Sequence, residues 1–256
     1  MRRAGLVVIA IALTFYAALC GALYFGQRSL LYFPTPESRS ARAEALSLAM
    51  DGAVLKVWRV AGIGDRAMIY FGGNGEDVAG SIAPFTAAFP DTAIYLVNYR
   101  GYGGSTGSPS EAALLADAER VFDRVRAQHA RVAVIGRSLG SGVAVHLASV
   151  RDVSKLALVT PYDSVLRIAQ RRMSFVPVAW LLEDTYDSVA KAPRVRAPVL
   201  ALLAEVDTSI PREHSERLVA AFKPGQVDVR VIPATDHNSI SDAPEYDRAL
   251  ASFLLN

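Results

Sequence analysis

Apolar residues in this chain fall into two regimes. The first is one unbroken run: residues 4–25 carry no charge, and about 22 residues at 1.5 Å each reach about 33 Å as a helix, enough to cross the hydrocarbon core of a bilayer. The second is a series of short apolar runs alternating with segments of helical period. Residues 54–60 read as a strand, with 46–50 as its partner across the Asp51-Gly52 turn. Residues 67–71 and 93–97 are bounded by Gly, Pro and Asp, as expected of strands buried on both faces. Runs at 131–135, 156–159, 199–203 and 227–232 predict four more strands. Helices are predicted over 78–89, where Pro84 blurs the start, and over 212–222 and 244–254. Ser108-Pro109-Ser110-Glu111 reads as a capping box with proline at the first helical position, opening a helix on which Leu115, Ala118, Phe122 and Val125 recur at helical spacing. Alternating β and α predicts an α/β domain, a mainly parallel sheet covered by helices on both faces.

The apolar run divides the chain into 1–27, an amino terminus and transmembrane anchor; 28–40, a linker marked by Pro34 and Pro36; and 41–256, the globular domain. A cleavable signal peptide is the rival reading, but Leu23-Tyr24-Phe25 continues past the small-x-small sites such a peptide would end on. Tyr24, Phe25, Tyr32 and Phe33 put aromatic rings where a membrane interface would lie. Arg2, Arg3 and the amino terminus precede the run and only Arg28 follows closely, so the positive-inside rule places the amino terminus in the cytoplasm and the domain outside it. The net charge of +2, with no run of basic residues longer than a pair, leaves no nucleic-acid footprint. The one cysteine, Cys20, excludes an internal disulfide and any CxxC site. Leu19 stands where a lipidated cysteine wants a small neighbour, so Cys20 is read as a helix residue.

The stretch 131–149, RVAVIGRSLGSGVAVHLAS, holds the candidate chemistry. A strand runs into Gly136-Arg137-Ser138-Leu139-Gly140 and then directly into a helix, a turn so sharp that glycine is wanted two residues either side of the serine. In a parallel sheet chemistry collects beyond the carboxyl ends of the strands. There the chain offers Glu205 and Asp207 after 199–203, and His237 after 227–232. Ser138, Asp207 and His237 thus follow the order nucleophile, acid, base. Asp163 and Glu205 are the competing acids, the former read as a helix cap. His129, His146 and His214 read as ordinary helix residues. Oxyanion donors are expected from the Leu139 N–H, at a helix start, and from Asn74 in the loop Gly72-Gly73-Asn74-Gly75.

Together the segments LLYFPTP, YFGGNGEDV, VNYRGYGGSTGSPSE, VIGRSLGSGVAVHLA, TPYDSV, APVLALLAEVDTSIP and DHNSI, over about residues 30 to 255, resemble the alpha/beta-hydrolases. The resemblance is to the membrane-anchored serine hydrolase branch with depalmitoylase-like and esterase-like members. It implies the alpha/beta-hydrolase fold, Ser138, Asp207 and His237 as the triad, and Asn74 with Leu139 as the oxyanion hole. That branch usually carries a histidine before its GN pair, and here the position is Gly72.

The expected activity is hydrolysis of carboxylic esters or thioesters through an acyl-enzyme, with no metal or organic cofactor required. Residues 160–198 are too few for a large lid beside the usual crossover helix, so a small cap and an open site are expected. Met173, Phe175, Val176, Val178, Trp180, Leu181 and Leu182 make this segment apolar, as a wall for an acyl chain or as core packing. A linker of about ten residues would keep the site within about 35 Å of the membrane, favouring amphiphilic esters or acylated proteins. Two alternatives stand: a serine aminopeptidase-like enzyme, with Glu183, Asp184 and Asp187 as amine ligands or simply a solvated face, and a non-catalytic membrane-tethered module.

Overall fold

The structure is a computed structural model that describes residues 2–255; Met1, Asn256 and the side chain of Arg2 lie outside the described residues, and with them part of the basic flank counted above. The strands are β1 (Glu44–Met50), β2 (Ala53–Val60), β3 (Arg66–Phe71), β4 (Ala93–Val97), β5 (Arg131–Arg137), β6 (Leu156–Val159), β7 (Val199–Ala204) and β8 (Val227–Ile232). They form one sheet in the order β1-β2-β4-β3-β5-β6-β7-β8, antiparallel from β1 to β4 and parallel from there on. Every run read as a strand from its apolar pattern is one.

Helices α1 (Arg2–Leu31), α2 (Ile82–Ala88), α3 (Glu111–Arg126), α4 (Leu139–Val150), α5 (Val165–Arg172), α6 (Val178–Leu181), α7 (Ser188–Lys191), α8 (Arg212–Ala221) and α9 (Pro244–Leu255) complete the chain. The period of two decides which helix meets which face of the sheet. On β3, Ala67, Ile69 and Phe71 join one core with Leu114 of α3, Val143 of α4 and Leu218 of α8. Met68 and Tyr70 join the other with Ile82 and Phe85 of α2 and Leu250 of α9. The central strands β4 and β7 are therefore buried throughout and β3 beyond Arg66, while the edge strand β8 is largely exposed or half-buried, with only Ile232 buried.

Three local expectations change. The helix expected over 78–89 is a short 3-10 turn, Val78–Ser81, followed by α2, with Pro84 in the first turn where its missing N–H costs little. Ser110, not Ser108, caps α3, its Oγ accepting the Ala113 N–H. Glu111 is then the first helical residue and its carboxylate reaches the Tyr186 N–H at 2.8 Å and Lys191 at 3.2 Å, bonds it would forfeit as the partner in a capping box.

The third change concerns 28–40. Residues 28–31 continue α1, and the chain beyond is a strap, not a free linker. The Phe33 N–H donates to Asn74 Oδ1 and to Tyr102 Oη, the Gly103 N–H to the Thr35 carbonyl, and Lys56 pairs with Glu37. The helix end is held equally firmly. Arg28 pairs with Glu183 and Asp184, Tyr24 donates to Glu183, and the buried Tyr32 donates to Asp184. Burial, with the Asp184 carboxylate beside it, pushes the Tyr32 phenol far above its usual range. Glu183 and Asp184 are thus partners of α1 rather than a solvated face or amine ligands, and Asp187 caps α7.

Candidate active site

The turn around Ser138 is built by two close approaches. A Cβ on Gly136 would lie 2.3 Å from the Gly140 carbonyl oxygen, and a Cβ on Gly140 would lie 2.0 Å from the Phe71 carbonyl oxygen. Ser138 between them takes φ +48 and ψ −116, a region non-glycine residues rarely occupy. The turn is fixed by the Ser138 N–H on the Val159 carbonyl at 2.9 Å and by both the N–H and the hydroxyl of Ser141 on the Ser138 carbonyl.

The three loops after β5, β7 and β8 meet here. His237 Nε2 lies 2.9 Å from Ser138 Oγ, and His237 Nδ1 lies 2.8 Å from Asp207 Oδ2. Asp207 Oδ1 accepts the N–H groups of Ser209 and Ile210, so the carboxylate is filled on one side by backbone and on the other by the imidazole. With the Nδ1 proton facing Asp207, Nε2 is left to accept the serine proton. Next to His237, Asp236 accepts the N–H groups of Asn238 and Ser239, which hold its own carboxyl below the usual aspartate range.

The competing acids are engaged elsewhere. Glu205 accepts the Ala234 N–H and so shapes the turn leading to His237. Asp163 is fully buried, accepts the His214 Nδ1–H at 2.8 Å and pairs with Arg217. It is not a helix cap, because Ser164 takes that place on α5. His214 is accordingly a buried hydrogen-bond partner of Asp163 and not an ordinary helix residue. His146 bonds Glu119, His129 bonds the Tyr95 hydroxyl, and burial lowers the pKa of both.

On the oxyanion side, Leu139 is the first residue of α4, where an N–H has no intrahelical acceptor. The loop 72–75 abuts the serine: a Cβ on Gly73 would sit 3.6 Å from Ser138 Cβ. The Gly73 N–H is already taken by Glu76 Oε2 at 2.6 Å. The Asn74 side chain faces the strap, donating to the Leu31 carbonyl and accepting from Phe33 and Tyr102. Among the described residues the Asn74 backbone N–H has no acceptor.

Two residues outside the sequence expectation hold this arrangement. Arg137, inside the GxSxG turn, donates to Glu76 at 2.9 Å and to the His237 carbonyl at 3.1 Å, joining the serine, oxyanion and histidine loops. Burial opposes its charge, but Glu76 beside it keeps the guanidinium pKa above its ordinary value. Glu76 also fills the space of a side chain at Gly72, where a Cβ would meet Val78 at 2.6 Å and the Glu76 carboxyl at 3.2 Å. A side chain there is opposed first by Val78 and then by the Glu76 carboxyl. We expect Glu76→Gln to cost about 2 kcal/mol of stability, because Arg137 loses its counter-charge. Ester turnover should fall about ten- to a hundredfold through a misplaced 72–75 loop. Thermal unfolding and single-turnover kinetics in detergent check both.

Among the described residues no cluster of three or more His, Cys, Asp or Glu is placed to hold a metal.

Residues 104–251 match the model of the dienelactone hydrolase family. An uncharacterized protein of Mycobacterium tuberculosis is 33% identical over 253 residues, covering 93% of this chain and 89% of that protein. Protein bem46 of Schizosaccharomyces pombe is 25% identical, covering 91% and 87%. Alpha/beta hydrolase domain-containing protein 17C of Xenopus laevis is 29% identical over 63% of this chain and 51% of its own. Among solved structures, a Pyrococcus furiosus esterase superposes with a TM-score of 0.69 at 17% identity, over 87% of this chain and 98% of that one.

Proposed function

The chain belongs to the dienelactone hydrolase family within the alpha/beta-hydrolases, and we propose that within it this protein is a serine hydrolase of carboxylic esters or thioesters. The observation that carries the reading is the hydrogen-bonded chain Ser138–His237–Asp207, with its serine on a strained turn. In the first half-reaction Ser138 Oγ bonds to the substrate carbonyl carbon as its proton passes to His237 Nε2. The carbonyl oxygen becomes an oxyanion facing the Leu139 and Asn74 N–H groups. Collapse of this intermediate breaks the bond to the leaving alcohol or thiol, which takes the proton from His237. Water, deprotonated by His237, then attacks the acyl-enzyme, and the carboxylic acid leaves as His237 returns that proton to Ser138; the acid then loses its own proton to solvent. Asp207 keeps the imidazole oriented and stabilises its charge in both halves.

Membrane attachment is the second part of the proposal. Helix α1 is long and apolar enough to span a bilayer, and its basic flank supports a cytoplasmic amino terminus with the domain on the other side. Arg28, the positive residue after the span, is neutralised by Glu183 and Asp184. Substrates presented by a membrane, lipid-like esters or acylated proteins, are the class this tether favours.

The test is labelling of the full chain in detergent with a fluorophosphonate, with the adduct mapped by peptide mass spectrometry. Label on Ser138, together with turnover of acyl esters or thioesters and not of aminoacyl amides, supports the reading. An unlabelled protein beside a reactive control hydrolase sinks it.

A further inference from the structure

Four polar side chains along the carboxyl half of α1, those of Tyr16, Tyr24, Gln27 and Arg28, bond to one segment, and this segment is neither strand nor sheet-covering helix. Tyr16 donates to the Phe175 carbonyl, Gln27 donates to the Leu181 carbonyl and accepts the Glu183 N–H, and Tyr24 and Arg28 bind the Glu183 and Asp184 carboxylates. Residues 173–184 therefore lie alongside α1 from its end back to Tyr16. Tyr16 is about 13 Å along the helix axis from Phe25, the last residue of the uncharged run. If α1 spans the bilayer, this stretch of the cap sits at membrane depth. Backbone that is not helical is tolerated there only where its polar groups find partners, and Tyr16 and Gln27 supply partners at Phe175, Leu181 and Glu183. The outward side of the segment fits the same depth: Phe175 is 65% exposed and Trp180 88% exposed, aromatic area that water would disfavour and lipid would not.

Between α1 and this segment lies a cavity of about 320 Å³. Leu23, Leu30 and Leu31 of α1 form one wall, Ile168 of α5 and Met173 and Leu182 of the cap the other. The two polar residues on its lining are already bonded, Gln27 as above and Arg172 to the Ser209 carbonyl. What remains is apolar, of a size that suits a chain of methylenes. Leu31, on its wall, is tied to the loop beside the serine: the Leu31 carbonyl accepts Asn74 Nδ2 at 2.6 Å, and a Cβ on Gly73, the preceding residue, would sit 3.6 Å from Ser138 Cβ.

We propose that this cavity is the acyl-chain site, that α1 is its outer wall as well as the anchor, and that the chain of a membrane-borne ester or thioester enters it from the bilayer. The proposal rests on the hydrolase and anchor readings above, and names the substrate class as long-chain acyl amphiphiles. Helix α1 is then part of the enzyme's specificity and cannot be exchanged for another anchor without loss.

Two measurements on the full chain in nanodiscs test it. In the first, a diazirine-bearing palmitic acid is photocrosslinked to the Ser138→Ala protein, so that no hydrolysis is needed. Adducts are expected on peptides covering 165–182 and 23–31, and Ala169→Trp on α5 or Leu30→Trp on α1 should suppress them. In the second, the ratio of kcat/KM for palmitoyl over acetyl ester is expected to fall about tenfold in each tryptophan variant, as in pockets that sort substrates by methylenes. Leu13→Trp on the lipid-facing part of α1 should leave that ratio alone. Leu30 is 60% exposed, so its variant folds even if Ala169→Trp does not. Crosslinks that ignore both cavity variants, or a chain-length ratio that they do not move, overturn the proposal. Crosslinks at the cavity with no ester turned over would instead remove the hydrolase reading and leave the site.

Discussion

Ser138→Ala is expected to lower ester turnover by about four orders of magnitude or more and to abolish fluorophosphonate labelling, with the protein still folded. Among the described residues the serine hydroxyl bonds only to His237, so its loss would remove the proposed nucleophile without opening the turn, which is held by backbone on Val159 and by Ser141. Asp207→Asn is the more discriminating variant. Asp207 Oδ1 accepts two backbone N–H groups, from Ser209 and Ile210, and only an oxygen satisfies both. The amide of an asparagine is thereby forced to point its NH₂ at His237 Nδ1. The imidazole must then carry its proton on Nε2, where it donates to Ser138 Oγ instead of accepting from it. Turnover is expected to fall about 10³- to 10⁴-fold with binding of substrate little changed. Stopped-flow acylation with an activated ester measures this directly. If Asp207→Asn kept wild-type acylation while Asp163→Asn lost it, the acid would have been misassigned.

The parts of this molecule that sequence makes legible are those set by local period and by order along the chain. Residues 67–71 and 131–135 read as buried strands because both faces of a central strand meet a core, so the run is apolar without alternation. Ser138, Asp207 and His237 stand out in the sequence because each follows a strand, β5, β7 or β8, and parallel strands bring their carboxyl ends to one edge. What stays hidden depends on pairs far apart in sequence. Arg137 and Glu76 are separated by 61 positions, and nothing local marks either as more than a surface charge. Arg28, Tyr24 and Gln27 have the composition of an interfacial flank, so their use as docking groups for 181–184 shows only when the cap is in place. Asn74 is legible as a residue of the loop after β3, but its side chain serves the strap. Asp163 misleads because an Asp-Ser pair before a helix offers two caps, and the second takes the role.

The glycine that follows Ser138 by two is expected to act through the sheet and not through the serine. A Cβ on Gly140 would stand 2.0 Å from the Phe71 carbonyl oxygen, 2.6 Å from its carbon and 2.7 Å from the Gly72 carbonyl oxygen. All three atoms are backbone at the end of β3, whose Phe71 is paired with Gly136 of β5, so none can move without lifting the strand or α4. Ala144 of the same helix is packed in the core that Phe71 joins, and a shift of α4 would open that packing as well. Gly140→Ala should therefore cost about 3 kcal/mol or more, beyond the usual cost of an added methyl in a core. Gly80→Ala, with nothing within 4 Å of the added carbon, should cost less than about 0.5 kcal/mol. Thermal unfolding of the two variants in the same detergent separates them. If Gly140→Ala melted where the unaltered protein does, the close approach of α4 to β3 would be wrong. The loop 72–75 would then have to be placed against Ser138 by something other than that contact.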